Sequence, residues 1–595
     1  MNVSQHISDL RKQLSKYNID ACLITGTDPH LSEYTPANWK TREWISGFTG
    51  SYGKMLITND KALLWTDTRY FLQAMEQLEG SEIVLMKERV LGAIVIEDWI
   101  IENFEPNQKV SLNGLTLSMV ETTLLETKLA AKGIVLVTEP DLVDEIWNDR
   151  PIAANNLVYD FPLVYAGKSR TEKIEVVRAR LKSKNIDATV VTMLDDIAWL
   201  FNLRGEEIDY TPLFSAYAYI DLSEAFLFIH PDKIPDVLKI TLSEEGITIL
   251  DYSFFYDFLF RIKDKHIQID PLRTNFRVAK SLGDKNKLIE TVSITTELKS
   301  AKDAIEISRI RNAHIKDGAA MVNSLYWLNK NIGKEKITEV SFGNKLSDFR
   351  REQDLFKGDS FHPIVGFGPH GAIVHYHATN QTDTEINSNN LLLIDSGGQY
   401  LDGTTDITRT VSFGVASEKQ KEDFTFCLKA HIALATTVFP EGTRGYSLDA
   451  IARNPLWNKG INYGHGTGHG IGYFLSVHEG PMSIRTEYNN EPIREGNLIS
   501  NEPGIYREGK YGIRIENVMF CKMHSTGEFG KFLCFETISL CPIDRHLINS
   551  ELLSKDEIDW VNHYHELVIQ NISPLLADRE VLEWLNVQCS PLYEP

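Results

Sequence analysis

Residues 391–410 read LLLIDSGGQYLDGTTDITRT. Leu391 to Ile394 is an apolar run that ends in Asp395, and the Ser-Gly-Gly after it is a turn signal. Eleven residues beyond Asp395 lies Asp406, at a β-branched run that suits a returning strand. A hairpin of these two strands would bring the two aspartates together. An Asp after a strand is more often a turn residue or helix cap, so the pair alone decides little.

The pair gains weight from residues further along the chain. NYGHGTGHGIG, at 462–472, packs five glycines and two histidines, His465 and His469, into eleven residues. Glu502 lies in ISNEPGIY and Glu516 in YGIRIENVMF, where Arg514, Glu516 and Val518 should share one strand face opposite Ile513, Ile515 and Met519. Two Asp, one His and two Glu make a coherent ligand set. Four carboxylates balance two divalent cations and can bridge metals about 3.5–4 Å apart. Oxygen-rich ligation with one imidazole suits Mn²⁺ better than a thiolate-type zinc site. A nucleotide-binding reading of the glycines fails on context, because no Lys-Ser/Thr follows and no apolar strand immediately precedes them.

Outward from this region, the chain shows a repeat. RKQLSKYNIDA at 11–21 returns 167 residues later as RARLKSKNIDA at 178–188, with six of eleven positions identical. Ile7, Leu10 and Leu14 are matched by Ile174, Val177 and Leu181, the spacing of an amphipathic helix, and ACLIT and ATVVT follow as buried strands. The pattern predicts two related α/β domains, at 1–155 and 156–305, ahead of a third at 306–595 that holds the chemistry. A chain of 595 residues should indeed divide, since single cores rarely grow past roughly 250–300 residues. A net charge of −21 argues against nucleic-acid binding. Six scattered cysteines make no disulfide framework, no stretch reaches the ~18 apolar residues of a membrane span, and the first residues lack a hydrophobic signal core. The expectation is a cytoplasmic protein.

The order Asp, Asp, His, Glu, Glu in these settings resembles the metallopeptidases of the pita-bread fold. DSGGQYLDGTTDITRT, HGTGHGIG, VHEGP, NEPGIY and GIRIEN are most similar to the Xaa-Pro aminopeptidase (aminopeptidase P) family, in its long three-domain cytosolic form. The likeness extends to WISGFTGS at 44–51, WTDTRYFLQA at 65–74 and LDDIAWLFNLRG at 194–205, and so covers nearly the whole chain. The resemblance implies an α/β (α+β) chain, two creatinase/prolidase-type N-terminal domains and a pita-bread catalytic domain. It implies that Asp395, Asp406, His469, Glu502 and Glu516 bind two divalent ions, Mn²⁺ first and Zn²⁺ or Co²⁺ as substitutes, with Asp406 and Glu516 bridging. Glu502 becomes the general base. His375 contacts the peptide and the tetrahedral intermediate, His478 lies by the scissile proline, and His465 lines the substrate site. Arg69, His469 and Arg514 complete the substrate-binding residues. The implied reaction releases the residue before a penultimate proline, and the family is commonly a homodimer.

The chain departs from the family pattern in places. His370 stands where the family carries Asn, His377 where a small residue is usual, and Thr68 where Gly precedes the arginine. Two other readings share the fold: a prolidase restricted to Xaa-Pro dipeptides, and a metal-free protein that only binds peptides. The duplicated N-terminal half opposes the first, and retention of all five ligands and His375 opposes the second.

Overall fold

The computed structural model describes residues 3–593, and the chain forms two compact units, Met1–Glu297 and Leu298–Pro595. In the first unit the strand Ala21–Ile24 runs antiparallel to Lys54–Thr58, which is antiparallel to Ala62–Thr66, which is parallel to Ile83–Lys87. On its other side Ala21–Ile24 is parallel to Lys109–Leu112 and that strand to Val135–Val137. A second six-stranded sheet repeats this order and every direction around Ala188–Val191. Its flanks are Tyr217–Asp221, Ala225–Phe228 and Ile247–Leu250 on one side, and His266–Ile269 and Lys287–Glu290 on the other. The repeated segment is therefore the opening helix and strand of a duplicated fold, and the two halves are related α/β domains.

The same physics builds the opening helix of each domain. Ile7, Leu10 and Leu14 of helix Val3–Tyr17 and Ile174, Val177 and Leu181 of helix Arg170–Ser183 are buried, so each helix lays one apolar stripe against its sheet. The second helix begins with a capping box in which Ser169 and Glu172 satisfy each other's backbone N–H groups.

In the second unit Asp303 and Glu306 cap the helix Ala304–Asn331 in the same way. Its Met321, Leu325 and Leu328, spaced as one helix face, pack with Phe342, Leu346, Leu392 and Ile394. Helix Glu418–Ala435 presses Phe424, Cys427 and Leu428 onto Ile505, Ile513 and Ile515. The C-terminal helices Lys555–Ile572 and Arg579–Gln588 join that core through Val561, Tyr564, Val568, Ile572, Val581 and Leu585. The tail is thus helical packing. All six cysteines are free, and no helix among the described residues is long and apolar enough to cross a membrane.

One expected element is corrected. The strand drawn through Arg514, Glu516 and Val518 is two strands, Tyr511–Arg514 and Asn517–Gly527, with a break at Ile515 and Glu516. The first pairs with Gly504–Arg507 and the second joins a six-stranded sheet, so the chain changes sheets at Glu516. Glu516 bridges to Thr408 instead, its N–H donating to the Thr408 carbonyl at 3.1 Å. Both alternating sets of residues are buried, and neither forms a solvent face.

Two core histidines give the fold a pH dependence. His431 donates from Nδ1 to Asn501 O (3.1 Å) and accepts at Nε2 from Asn517 (3.0 Å), and burial holds its pKa at about 3. His565 accepts at Nε2 from the Ile543 N–H (3.1 Å), and burial holds it at about 4. Both pKa values are depressed below the unfolded value, so the stabilisation is complete above about pH 6.5 and is lost as the pH falls. Chemical denaturation in chelator should show each histidine costing about 2 kcal/mol between pH 7 and pH 5. A His565→Gln protein should show a correspondingly shallower slope, and an unchanged slope would refute the assignment.

Candidate metal centre

Antiparallel pairing of Leu391–Ser396 with Ile407–Ser412 sets Asp395 opposite Thr408, and Asp406 stands immediately before the second strand. The hairpin expected from residues 391–410 is present. Its connecting chain forms a small ribbon, Gly398–Tyr400 with Gly403–Thr404, that joins Phe356–Asp359.

His469 lies in the short strand Gly468–Gly470, which pairs with Glu479–Ile484 on one side and Leu498–Asn501 on the other, with Glu502 next in sequence. The flanking glycines are required by closeness. A Cβ at Gly468 would run into the Ser500 carbonyl oxygen, and one at Gly470 into the Glu479 carbonyl oxygen. A larger residue at Gly468 would press on the strand that leads to Glu502, and one at Gly470 on the strand that begins at Glu479.

The ligand atoms of Asp406, His469 and Glu516 lie within 4.8 Å of one another. His469 Nε2 is 3.5 Å from Asp406 Oδ2 and 3.6 Å from Glu502 Oε1. Its Nδ1–H donates to Gly470 O (2.9 Å), which orients the ring and leaves Nε2 facing the carboxylates. Thr408 Oγ1–H donates to Glu516 Oε2 (2.7 Å), and Ser500 Oγ–H to Glu502 Oε1 (3.3 Å). Asp395 accepts at Oδ2 from Arg514 Nη2 (2.5 Å), while its Oδ1 is buried with no hydrogen-bond partner.

Electrostatics agree with that orphaned oxygen. Burial raises the pKa values of Asp395, Glu502 and Glu516, and the neighbouring carboxylates raise them further. Arg514 offsets this for Asp395 and Glu502, as does His469 for Glu502. Burial opposes a charged His469, but Asp406 and Glu502 outweigh it and lift the imidazole to about 9. The cluster holds more negative charge than its own cations balance. Multivalent cations fit that deficit, the free Asp395 Oδ1 and an Nε2 that a bound ion would hold unprotonated.

The remaining predicted residues fall in three settings. His478 stands edge-on to His469, ring centres 4.3 Å apart. His375 follows Val374, whose carbonyl accepts from Arg514 Nη2 (3.3 Å). His465 donates from Nδ1 to Gly466 O (2.7 Å) and accepts at Nε2 from the Tyr506 hydroxyl (2.8 Å), which in turn accepts from Arg514 Nη1 (2.8 Å). Arg514 is buried beneath Asp395 and spends its guanidinium on Asp395, Tyr506 and Thr408. Arg69, in the first unit, makes a two-pronged ion pair with the buried Asp67 (3.0 and 2.9 Å) and lies beside the Tyr52 and Tyr70 rings.

Sequence reasoning missed Tyr506 and Thr408. Both stand inside quoted motifs, NEPGIY and TTDITRT, so position could have flagged them. Nothing local marks their partners.

The sequence profile of metallopeptidase family M24 matches residues 308–522, and that of its C-terminal region matches 531–592. Creatinase/prolidase N-terminal domain profiles match 6–146 and 149–306. A protein of Laccaria bicolor named "Probable Xaa-Pro aminopeptidase P" is 40% identical, the match covering 100% of this chain and 94% of that protein. One of Coprinopsis cinerea with the same name is 39% identical, over 100% and 99%. Among solved structures, an X-prolyl aminopeptidase of Caenorhabditis elegans superposes with a TM-score of 0.96 at 32% identity, covering 100% of both chains. It is described as a cytosolic enzyme with a di-nuclear active site.

Proposed function

We propose, on the premise that the chain belongs to the Xaa-Pro aminopeptidase P family within metallopeptidase family M24, that it hydrolyses the N-terminal Xaa-Pro bond of peptides with proline in second position. The observation that carries this reading is the convergence of Asp406, His469 and Glu516, with Glu502 beside them and Asp395 left with a free buried oxygen. Asp395, Asp406, His469, Glu502 and Glu516 are the residues assigned to two divalent ions, with Mn²⁺ the ion favoured by the oxygen-rich set. Asp406 and Glu516 would be the ligands shared by both ions. When bound, the ions supply an activated water and a Lewis acid for the scissile carbonyl.

The chain's own groups do the rest. Arg514 fixes one Asp395 oxygen so that the other stays available. Glu502 accepts the proton of the attacking water and returns it to the proline nitrogen, which leaves as a secondary amine. His375 donates to the carbonyl oxygen as it gains charge. His478 flanks the scissile amide, and His465 lines the peptide side. Arg69 keeps the peptide-binding role that the resemblance implies, with its guanidinium paired to Asp67. The reading extends to a cytoplasmic location, in line with the cytosolic relative, and to the homodimer that the family resemblance implies.

Product analysis separates the possibilities. Mn²⁺-loaded protein should release the first residue from an Xaa-Pro-Xaa tripeptide with kcat/KM about tenfold or more above that for the Xaa-Pro dipeptide. Cleavage of the dipeptide alone would establish the prolidase reading. No release from either peptide would leave a peptide-binding protein and end the enzymatic one.

A further inference from the structure

Resting on that reading of His375, we infer that Glu339, together with His370 and Tyr376, forms the positioning unit that holds His375 in place. Glu339 begins the helix Glu339–Arg351, and its side chain is fully buried. Its carboxylate gathers four donors from a single loop. Oε1 accepts from the Phe367 N–H (2.7 Å), and Oε2 from the Tyr376 hydroxyl (2.9 Å) and the Thr384 N–H (3.2 Å). His370 Nδ1–H reaches both oxygens, at 2.9 and 3.0 Å. The Glu339 N–H closes the circle by donating to Thr384 O (3.0 Å). His375 lies inside the loop so enclosed.

The opposite side of the loop is held from the metal centre. Arg514, which binds Asp395, also donates to Val374 O. Close by, the backbones of Gly371 and Gly512 approach so tightly that a Cβ on Gly512 would strike the Gly371 carbonyl. Both chain neighbours of His375 are therefore anchored, Val374 by Arg514 and Tyr376 by Glu339. His370 serves Tyr376 twice, because its ring also stacks on the tyrosine with centres 4.4 Å apart at 27°. Removing the imidazole takes a donor from a buried carboxylate and the packing from Tyr376 together. A loop that then shifts by about an ångström costs on the order of 10²-fold in rate. His370 stands where the family carries Asn, whose side-chain N–H can donate to the same carboxylate.

Four Mn²⁺-loaded proteins test this: His370→Ala, His370→Asn, His375→Ala and the double variant His370→Ala/His375→Ala. The expected results are a kcat loss of about tenfold or more in His370→Ala with KM nearly unchanged, and recovery in His370→Asn. The double variant should be no slower than His375→Ala alone, because His370 acts through His375. Metal content should stay at two equivalents throughout. Losses that multiply in the double variant, or parental kcat in His370→Ala, would overturn the positioning role. Parental activity in His375→Ala would instead overturn the reading of His375 itself, and the inference with it.

Discussion

Glu502→Gln should lower kcat on Xaa-Pro-Xaa peptides by about 10³-fold or more while the protein stays folded. The amide keeps the shape and one oxygen for a metal, but it cannot take a proton. In the native site Glu502 is partly buried, steadied by Ser500 and placed 3.6 Å from His469 Nε2, and desolvation together with Asp406 and Asp395 raises its proton affinity. A group so placed suits proton transfer at neutral pH. Steady-state kinetics alongside metal analysis decides the matter. Activity within about tenfold of the parent, with metal retained, would show that another group is the base.

Gly468→Ala should be nearly as damaging, although the residue carries no chemistry. The added methyl would collide with the Ser500 carbonyl oxygen, a backbone atom that cannot swing aside. Either the strand bearing His469 or the strand leading to Glu502 must then move. Separation of these two residues by about an ångström predicts a fall in kcat/KM on the order of 10²-fold and weaker metal retention. A Gly468→Ala protein with parental kinetics and metal content would mean that the spacing of these strands does not govern the site.

The legible parts of this protein are those written in local patterns. The repeat at 11–21 and 178–188 carries the same helix stripe and the same strand, and its match in the structure is a duplicated sheet order. The strand–turn–strand pattern of 391–410 likewise needs only alternation and a turn, and the hairpin follows it. Long-range partnerships were not legible. Strand position and the resemblance's substrate-binding role for Arg514 point to no partner at Asp395, yet its buried guanidinium lies on that carboxylate, an arrangement that needs chain 119 residues away. The break at Ile515 and Glu516 was hidden for a related reason. Both segments there are buried on both faces, so no polar alternation marks where the chain changes sheets. Glu339 was invisible as a hub because its four donors come from another loop and are mostly backbone groups or residues with ordinary roles of their own.

The glycine stretch at 462–472 gains a specific meaning from its surroundings in the fold. Gly468 and Gly470 serve contact between strands, and the two histidines face different partners: His469 the carboxylates, His465 the hydroxyl of Tyr506.

The most direct test of the two-metal account is a titration of chelator-stripped protein with Mn²⁺, following release of the first residue from an Xaa-Pro-Xaa peptide. Activity should rise from near zero and reach its plateau at two equivalents per chain. Full activity in the stripped protein, or none at any Mn²⁺ concentration, would contradict it.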